Sequence, residues 1–227
     1  MAPILVPTRS TADWKAFLAA PDRQWRAGYS AMATAQSWEA AKGLPPEIAI
    51  LLGRDAKALI VIPEHKVPLP GPGRDSQCDV FAIARTTDET LAVSIEAKVD
   101  EPFGPAVGEW LTNASEAKHT RLGALCDLLG CPAPSEQLRY QLFHRTAAAI
   151  IEADRFKTDA SAMIVQSFSQ SHRWFEDFAA FCAFLGLDAK PNTPMRYDLP
   201  TGRTVILGWA TGDRKFLTDL NSPPSLP

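Results

Sequence analysis

The residues best suited to chemistry stand at the ends of two apolar runs. Asp79 opens "DVFAIAR", and Glu96-Ala97-Lys98 closes "TLAVSIEAK", with the polar stretch "TTDE" at 86–89 between them. If that stretch is a four-residue hairpin loop, Arg85 pairs with Thr90 and Asp79 falls opposite Glu96, where cross-strand Cβ atoms stand about 4.5–5.5 Å apart. Side chains alternate between faces, so Lys98 projects on the side of Glu96. Like charges directly opposite are destabilising, which favours a proton on one acid or a cation between them. Magnesium takes one or two carboxylates together with water and phosphate oxygens. A neighbouring ammonium can neutralise developing charge or position a water. Paired acids, a hard cation and a lysine together suit phosphodiester hydrolysis. The plainer alternative makes Asp79 a strand-start cap and Glu96 and Lys98 a solvated strand face. The context weighs against it, because "LAVSIEA" is too apolar for an exposed edge and buried charges need a partner.

The elements around these residues follow from periodicity and punctuation. Residues 11–20, 30–43 and 44–53 read as helices, the first capped by Ser10 or Thr11 and the other two stopped by Gly43 and Gly53. "KALIVIP" (57–63) is short, continuous and β-branched, as a buried strand is. The Pro/Gly cluster at 70–73 makes residues 64–77 a loop. Strands at 79–85 and 90–98 follow, then helices over 105–114, 115–130 and 135–156, the last opened by a capping signature at Ser135. A strand at 161–169, an aromatic-rich helix over 173–186 and a strand at 203–211, to which "KFL" could add, complete the chain. The tail 221–227 reads as disordered. Helices interleaved with a short sheet predict an α/β fold with a mixed sheet, at least two of its first three strands pairing antiparallel.

Composition bounds the alternatives. The 227 residues suffice for one sizeable core, and 46% hydrophobic with 22% charged residues is ordinary for a globular protein. No apolar run is long enough for a membrane span, and no signal peptide is evident, so a cytoplasmic, non-membrane protein is expected. Cys78, Cys126, Cys131 and Cys182 lack zinc-finger spacing and read as packed thiols. A net charge of −3 argues mildly against a nucleic-acid binder, yet a basic cleft can sit on an acidic protein.

The spacing of Asp79 and Glu96-Ala97-Lys98, in the context "SQCDVFAI…VSIEAKVDEPFG" with "YQLFHR" at 140–145, resembles the PD-(D/E)XK nuclease superfamily, and within it uncharacterised bacterial branches. Cys78 replaces the proline that often precedes the acid. The resemblance implies a three-layer restriction-endonuclease-like fold with a central mixed sheet flanked by helices. It implies a single domain with its core over about 30–170 and a helix-and-strand extension over 171–220. It implies Mg²⁺, or Mn²⁺ in its place, bound by Asp79, Glu96 and the Ala97 carbonyl, with Lys98 orienting the attacking water or stabilising the transition state. Its expected partner is nucleic acid, DNA ahead of RNA, in repair, restriction or defence, with a homodimer as a further expectation. The alternative is a catalytically silent binding or regulatory module on the same scaffold.

Weaker candidates surround this set. Glu39 on the second helix is a candidate extra acid, against the plain reading of a solvated helix glutamate, and Glu64 is its rival. Gln141 and Arg145 share a helix face and could approach metal or phosphate. Tyr140 and His144 form the adjacent pair. Arg74, in the glycine-containing loop, is a candidate phosphate contact. The aromatic stripe from Trp174 to Phe184 reads first as core, and more remotely as a dimerisation face.

Overall fold

The computed structural model describes residues 8 and 10–220; the tail expected to be disordered lies outside them. Four short helices lead the chain: α1 (Thr11–Trp14), α2 (Pro21–Gln24), α3 (Ser30–Ala41) and α4 (Pro46–Leu52). Three strands follow, β1 (Lys57–Val67), β2 (Ser76–Arg85) and β3 (Thr90–Lys98), then α5 (Val107–Leu111), α6 (Glu116–Leu129) and α7 (Tyr140–Phe156). The last part holds β4 (Ala160–Ser167), α8 (Phe175–Phe184), β5 (Met195–Asp198) and β6 (Thr204–Thr211).

All six strands form one mixed sheet in the order β1-β2-β3-β4-β6-β5. β1, β2 and β3 are antiparallel, β3, β4 and β6 run parallel, and β5 returns antiparallel to β6. The central parallel strands are covered on both faces, which is why "LAVSI" and "AMIV" are continuous apolar runs rather than alternating ones. On one face, Trp38 of α3 and Ile48 and Leu51 of α4 pack with Val80, Val93, Ile95 and Ile164. On the other, Leu125 of α6, Phe143 of α7 and Phe178 of α8 pack with Met163, Val165, Leu207 and Trp209. The fold is therefore α/β in three layers. Segment 171–220 is no appendage, since β6 sits inside the sheet beside β4.

Several expected boundaries move. β1 continues to Val67 because residues 65–67 pair with Cys78, Gln77 and Ser76, so the loop shrinks to 68–75. The third long helix starts at Tyr140 instead of Ser135. Ahead of it the chain is held extended by an Ala106–Arg139 bridge and by the Tyr140 N–H donating to the Pro105 carbonyl. β5 was not foreseen; four residues with one exposed face carry too little pattern to distinguish them from loop. "KFL" adds no strand. It forms a 3₁₀ turn over Arg214–Leu217 whose Phe216 packs edge-on against Phe168. The aromatic stripe is core, with Phe178 and Phe181 fully buried and Phe184 against Phe143.

Candidate functional site

β2 and β3 hold the register Arg85↔Thr90 through Val80↔Ile95. The ladder stops one pair short of Asp79 and Glu96, and a side chain takes over: Asp79 Oδ2 accepts the Ala97 N–H at 2.6 Å. The cause lies on β1. Glu64 has a positive φ of 51° within a strand, a conformation that non-glycine residues rarely adopt. Ile62 and His65, three apart, both meet Phe81 on the α7 face. Phe81 and Cys78, also three apart, both pack toward α7. Strict alternation would put each pair on opposite faces. The β1–β2 register is continuous across this point, Pro63↔Val80 then His65↔Cys78, so both strands re-phase together at Glu64 and Asp79. Such irregularities re-aim side chains, and here the Asp79 carboxylate turns to the open edge of β3. A residue's N–H and C=O lie on one edge of a strand, so the Ala97 carbonyl faces the same way as its N–H.

Glu96 and Lys98 point toward α7, and both are almost fully buried. Glu96 Oε1 accepts from Lys98 Nζ and from Gln141 Nε2, the latter at 2.8 Å, while Oε2 accepts from Arg145 Nε. Gln141 and Arg145 are four apart on α7 and reach Glu96 together. Arg145 also donates to Ser76 Oγ at 2.8 Å, and Ser76 Oγ lies 2.9 Å from His144 Nδ1. Burial alone would raise the Glu96 carboxyl. Arg145 and Lys98 outweigh it and hold the group at about 2, so Glu96 is ionised. Asp79 moves the other way, well above the carboxylate range, through burial and then the charges of Glu96 and Glu64. Burial likewise raises Glu64 to about 7, against its hydrogen bond from Gln77.

Glu64, Asp79, Glu96, Ala97, Lys98 and Gln141 line one cavity of about 640 Å³. Its opposite wall is the N-terminal segment, with Arg23, Arg26 and Tyr29. Asp79, Glu96 and Lys98 therefore meet at a single opening, as the hairpin register implied. Among the described residues no three His, Cys, Asp or Glu side chains are gathered as a metal cluster. Magnesium needs fewer protein donors than that, and two carboxylates with one carbonyl, completed by water and phosphate, match its preference. The upward push on the Asp79 carboxyl fits as well, because a dication there would offset its burial and the repulsion from Glu96 and Glu64. The residues present thus fit the ion.

The other candidates divide. Gln141 and Arg145 converge on the site, and Glu64 is the additional acid. Glu39 does not join them. It accepts from Trp14 Nε1 at 2.7 Å and Thr8 Oγ1 at 2.8 Å beside a separate cavity of about 280 Å³. The start of α3, Ser30 and Ala31, faces the site, and Glu39 lies nine residues on, roughly 13 Å along the axis. Arg74 is also elsewhere, on a third cavity with Tyr140 and His144. Sequence reading gave Ser76 a place only as context of the resemblance and no role, though it joins Arg145 to His144, and gave none to the arginines of the N-terminal wall. Ser76 sat in what read as loop, and segment 21–29, between the first two helices, has no periodicity that would place it.

The fold and site define an α/β protein with a buried acid–lysine–arginine cluster at the end of a hairpin. A family model described as a domain of unknown function (DUF6946) matches residues 7–214, and the chain belongs to that family. No curated protein and no solved structure matches it. Among the described residues, no helix is long and apolar enough to cross a membrane.

Proposed function

We propose that this protein is a magnesium-dependent nuclease of the PD-(D/E)XK type, hydrolysing phosphodiester bonds in nucleic acid, DNA ahead of RNA. The observation that carries the reading is the shared cavity of Asp79, Glu96 and Lys98, with the Asp79 carboxylate locked to the backbone of Ala97. Asp79, Glu96 and the Ala97 carbonyl would hold the ion. Bound there, magnesium or manganese would supply Lewis-acid polarisation of a phosphoryl oxygen and lower the pKa of a water. Lys98 lines the same cavity, where it would stabilise negative charge on the phosphoryl group. Arg145 and Gln141 fix the Glu96 carboxylate in one orientation and keep it ionised. Glu64, whose carboxyl burial raises to about 7, lines the same cavity and would accept a proton from water.

The test is a cleavage assay on single-stranded, duplex and branched DNA and RNA, with Mg²⁺, Mn²⁺ or EDTA. Cleavage that needs metal and is lost in both Asp79→Asn and Lys98→Ala is expected. Cleavage surviving in both variants would overturn the placement.

One observation favours a second reading, a silent nuclease-like module: both Glu96 oxygens already have cationic or amide partners. On that reading Arg145 is the obstacle. Nucleic acid would then bind without being cut, and manganese would leave the melting temperature unchanged.

A further inference from the structure

The neighbouring face of α7 borders the third cavity, of about 380 Å³, between the 69–75 loop, α6 and the start of α7. Its side chains are unlike those of the acid site. Arg74, Lys118 and Arg121 bring three cations against one carboxylate, Asp75. Arg121 is only 5% exposed, and its Nε is buried without a hydrogen-bond partner. Its two terminal nitrogens donate to the carbonyls of Arg74 and Gly71, the second at 2.9 Å. The 69–75 loop wraps it so closely that a Cβ on Gly73 would come within 2.9 Å of the guanidinium carbon. No carboxylate forms an ion pair with Arg121, Lys118 or Arg74 among the described residues. A buried guanidinium that meets two carbonyl dipoles and the Tyr140 hydroxyl, but no carboxylate, has lost its hydration without gaining an anion, and that is costly unless an anion is supplied. Beside it, Trp110 stacks on Tyr140 with centroids 3.8 Å apart, and Lys118 Nζ lies 5.1 Å from the Trp110 centroid. His144 is held neutral there, at about 3, by burial and by Arg145, so it adds hydrogen-bonding capacity and no charge.

We propose that this cavity is a phosphate-binding subsite that takes a phosphorylated nucleotide, its phosphate on the Arg121–Lys118–Arg74 side and its base against the Trp110–Tyr140 aromatic wall. Planar fork donors suit phosphate, and the stacked Trp110–Tyr140 pair, its faces covered by each other and by Lys118, offers a base its aromatic edge. The geometry also links it to the first site. Tyr140 and His144 line this cavity while their chain neighbours Gln141 and Arg145 hold Glu96, so one helix separates the two. His144, Ser76, Arg145 and Glu96 form a continuous chain of contacts across it. The phosphate belongs either to the substrate strand beyond the scissile bond or to a free nucleotide. Only the strand source rests on the nuclease reading.

The experiment measures binding in EDTA, where cleavage is silent, by calorimetry on the full chain. The probes are a 5′-phosphorylated tetranucleotide, the same tetranucleotide without its 5′-phosphate, a nucleoside 5′-monophosphate and inorganic phosphate. Lys118→Glu and Arg74→Glu are compared with wild type, each checked for an unchanged melting temperature. Arg121→Lys serves as the conservative variant at the buried position. The expected result is at least a tenfold loss of affinity for the phosphorylated probes in both charge reversals, with a salt slope shallower by about 0.7 per cation removed. A monophosphate that binds as tightly as the tetranucleotide assigns the ligand as a free nucleotide, and a tighter tetranucleotide assigns the strand. Unchanged affinities in well-folded Lys118→Glu and Arg74→Glu overturn the subsite. Because the assay is read without metal or turnover, a failure of the nuclease assignment leaves it intact.

Discussion

At the residue scale the site is a problem of charge held out of water. Glu96 is ionised because Arg145 and Lys98 offset its burial, whereas Asp79 and Glu64 have no cation of their own and are pushed up. Arg145→Ala leaves Glu96 buried with less compensation and is expected to cost about 3–5 kcal/mol in chemical denaturation. Asp79→Asn keeps an acceptor for the Ala97 N–H and replaces a group whose charged form burial, Glu96 and Glu64 disfavour, so it should raise the melting temperature in EDTA while abolishing cleavage. Glu64 supplies the pH dependence. Below about 4.5 both folded and unfolded chains hold its proton, and above about 7 both have lost it. Between these values only the folded chain binds the proton, so the Glu64 contribution to stability falls as pH rises through that window. Denaturation midpoints of wild type and Glu64→Gln across pH 4 to 8 should differ by an amount that changes in that window and levels off above it.

At the element scale, the hairpin presents the acids and the helices decide which partners they meet. α7 offers two neighbouring faces, Gln141 and Arg145 to the acid site, Tyr140 and His144 to the phosphate cavity. A different buried network ties α3 and α4 to β4. Trp38 Nε1 donates to Gln166 Oε1 at 3.0 Å, and Gln166 Nε2 donates to Glu47 at 2.7 Å and to Ser37 at 3.2 Å. Gln166 is fully buried, so Gln166→Leu strands the Trp38 donor and should destabilise the fold by about 1–3 kcal/mol in urea melts. Much of the secondary structure was legible because long buried strands and amphipathic helices carry strong patterns. The four-residue turn at 86–89 fixed the hairpin register, and Arg85↔Thr90 is what the structure has. β5 and the late start of α7 were not legible, because one is too short for a pattern and the other is set by pairing with residues some thirty positions earlier.

At the scale of the whole molecule, the proposed activity makes a thermodynamic prediction that needs no substrate. An ion bound only by the folded chain stabilises by mass action, about 2.7 kcal/mol at a hundred times its dissociation constant. Manganese should therefore raise the melting temperature of wild type and leave Asp79→Asn unmoved; equal shifts in both would place the ion elsewhere. The net charge of −3 makes local cations decisive for any polyanionic partner; Arg23, Arg26 and Lys98 line one of the two cavities that share α7, and Arg74, Lys118 and Arg121 the other. What the sequence determined by itself was local: the longer strands, the hairpin loop and the spacing that brings Asp79 beside Glu96-Ala97-Lys98. These depend on periods of two and on turn chemistry, which act over a few residues. Only the tertiary structure decided that Glu64 and not Glu39 completes the acids, that Arg145 neutralises Glu96, and that Arg74 serves a different cavity. Each depends on how helices and loops distant in the chain are laid over the sheet, and packing of that kind leaves no mark in local spacing.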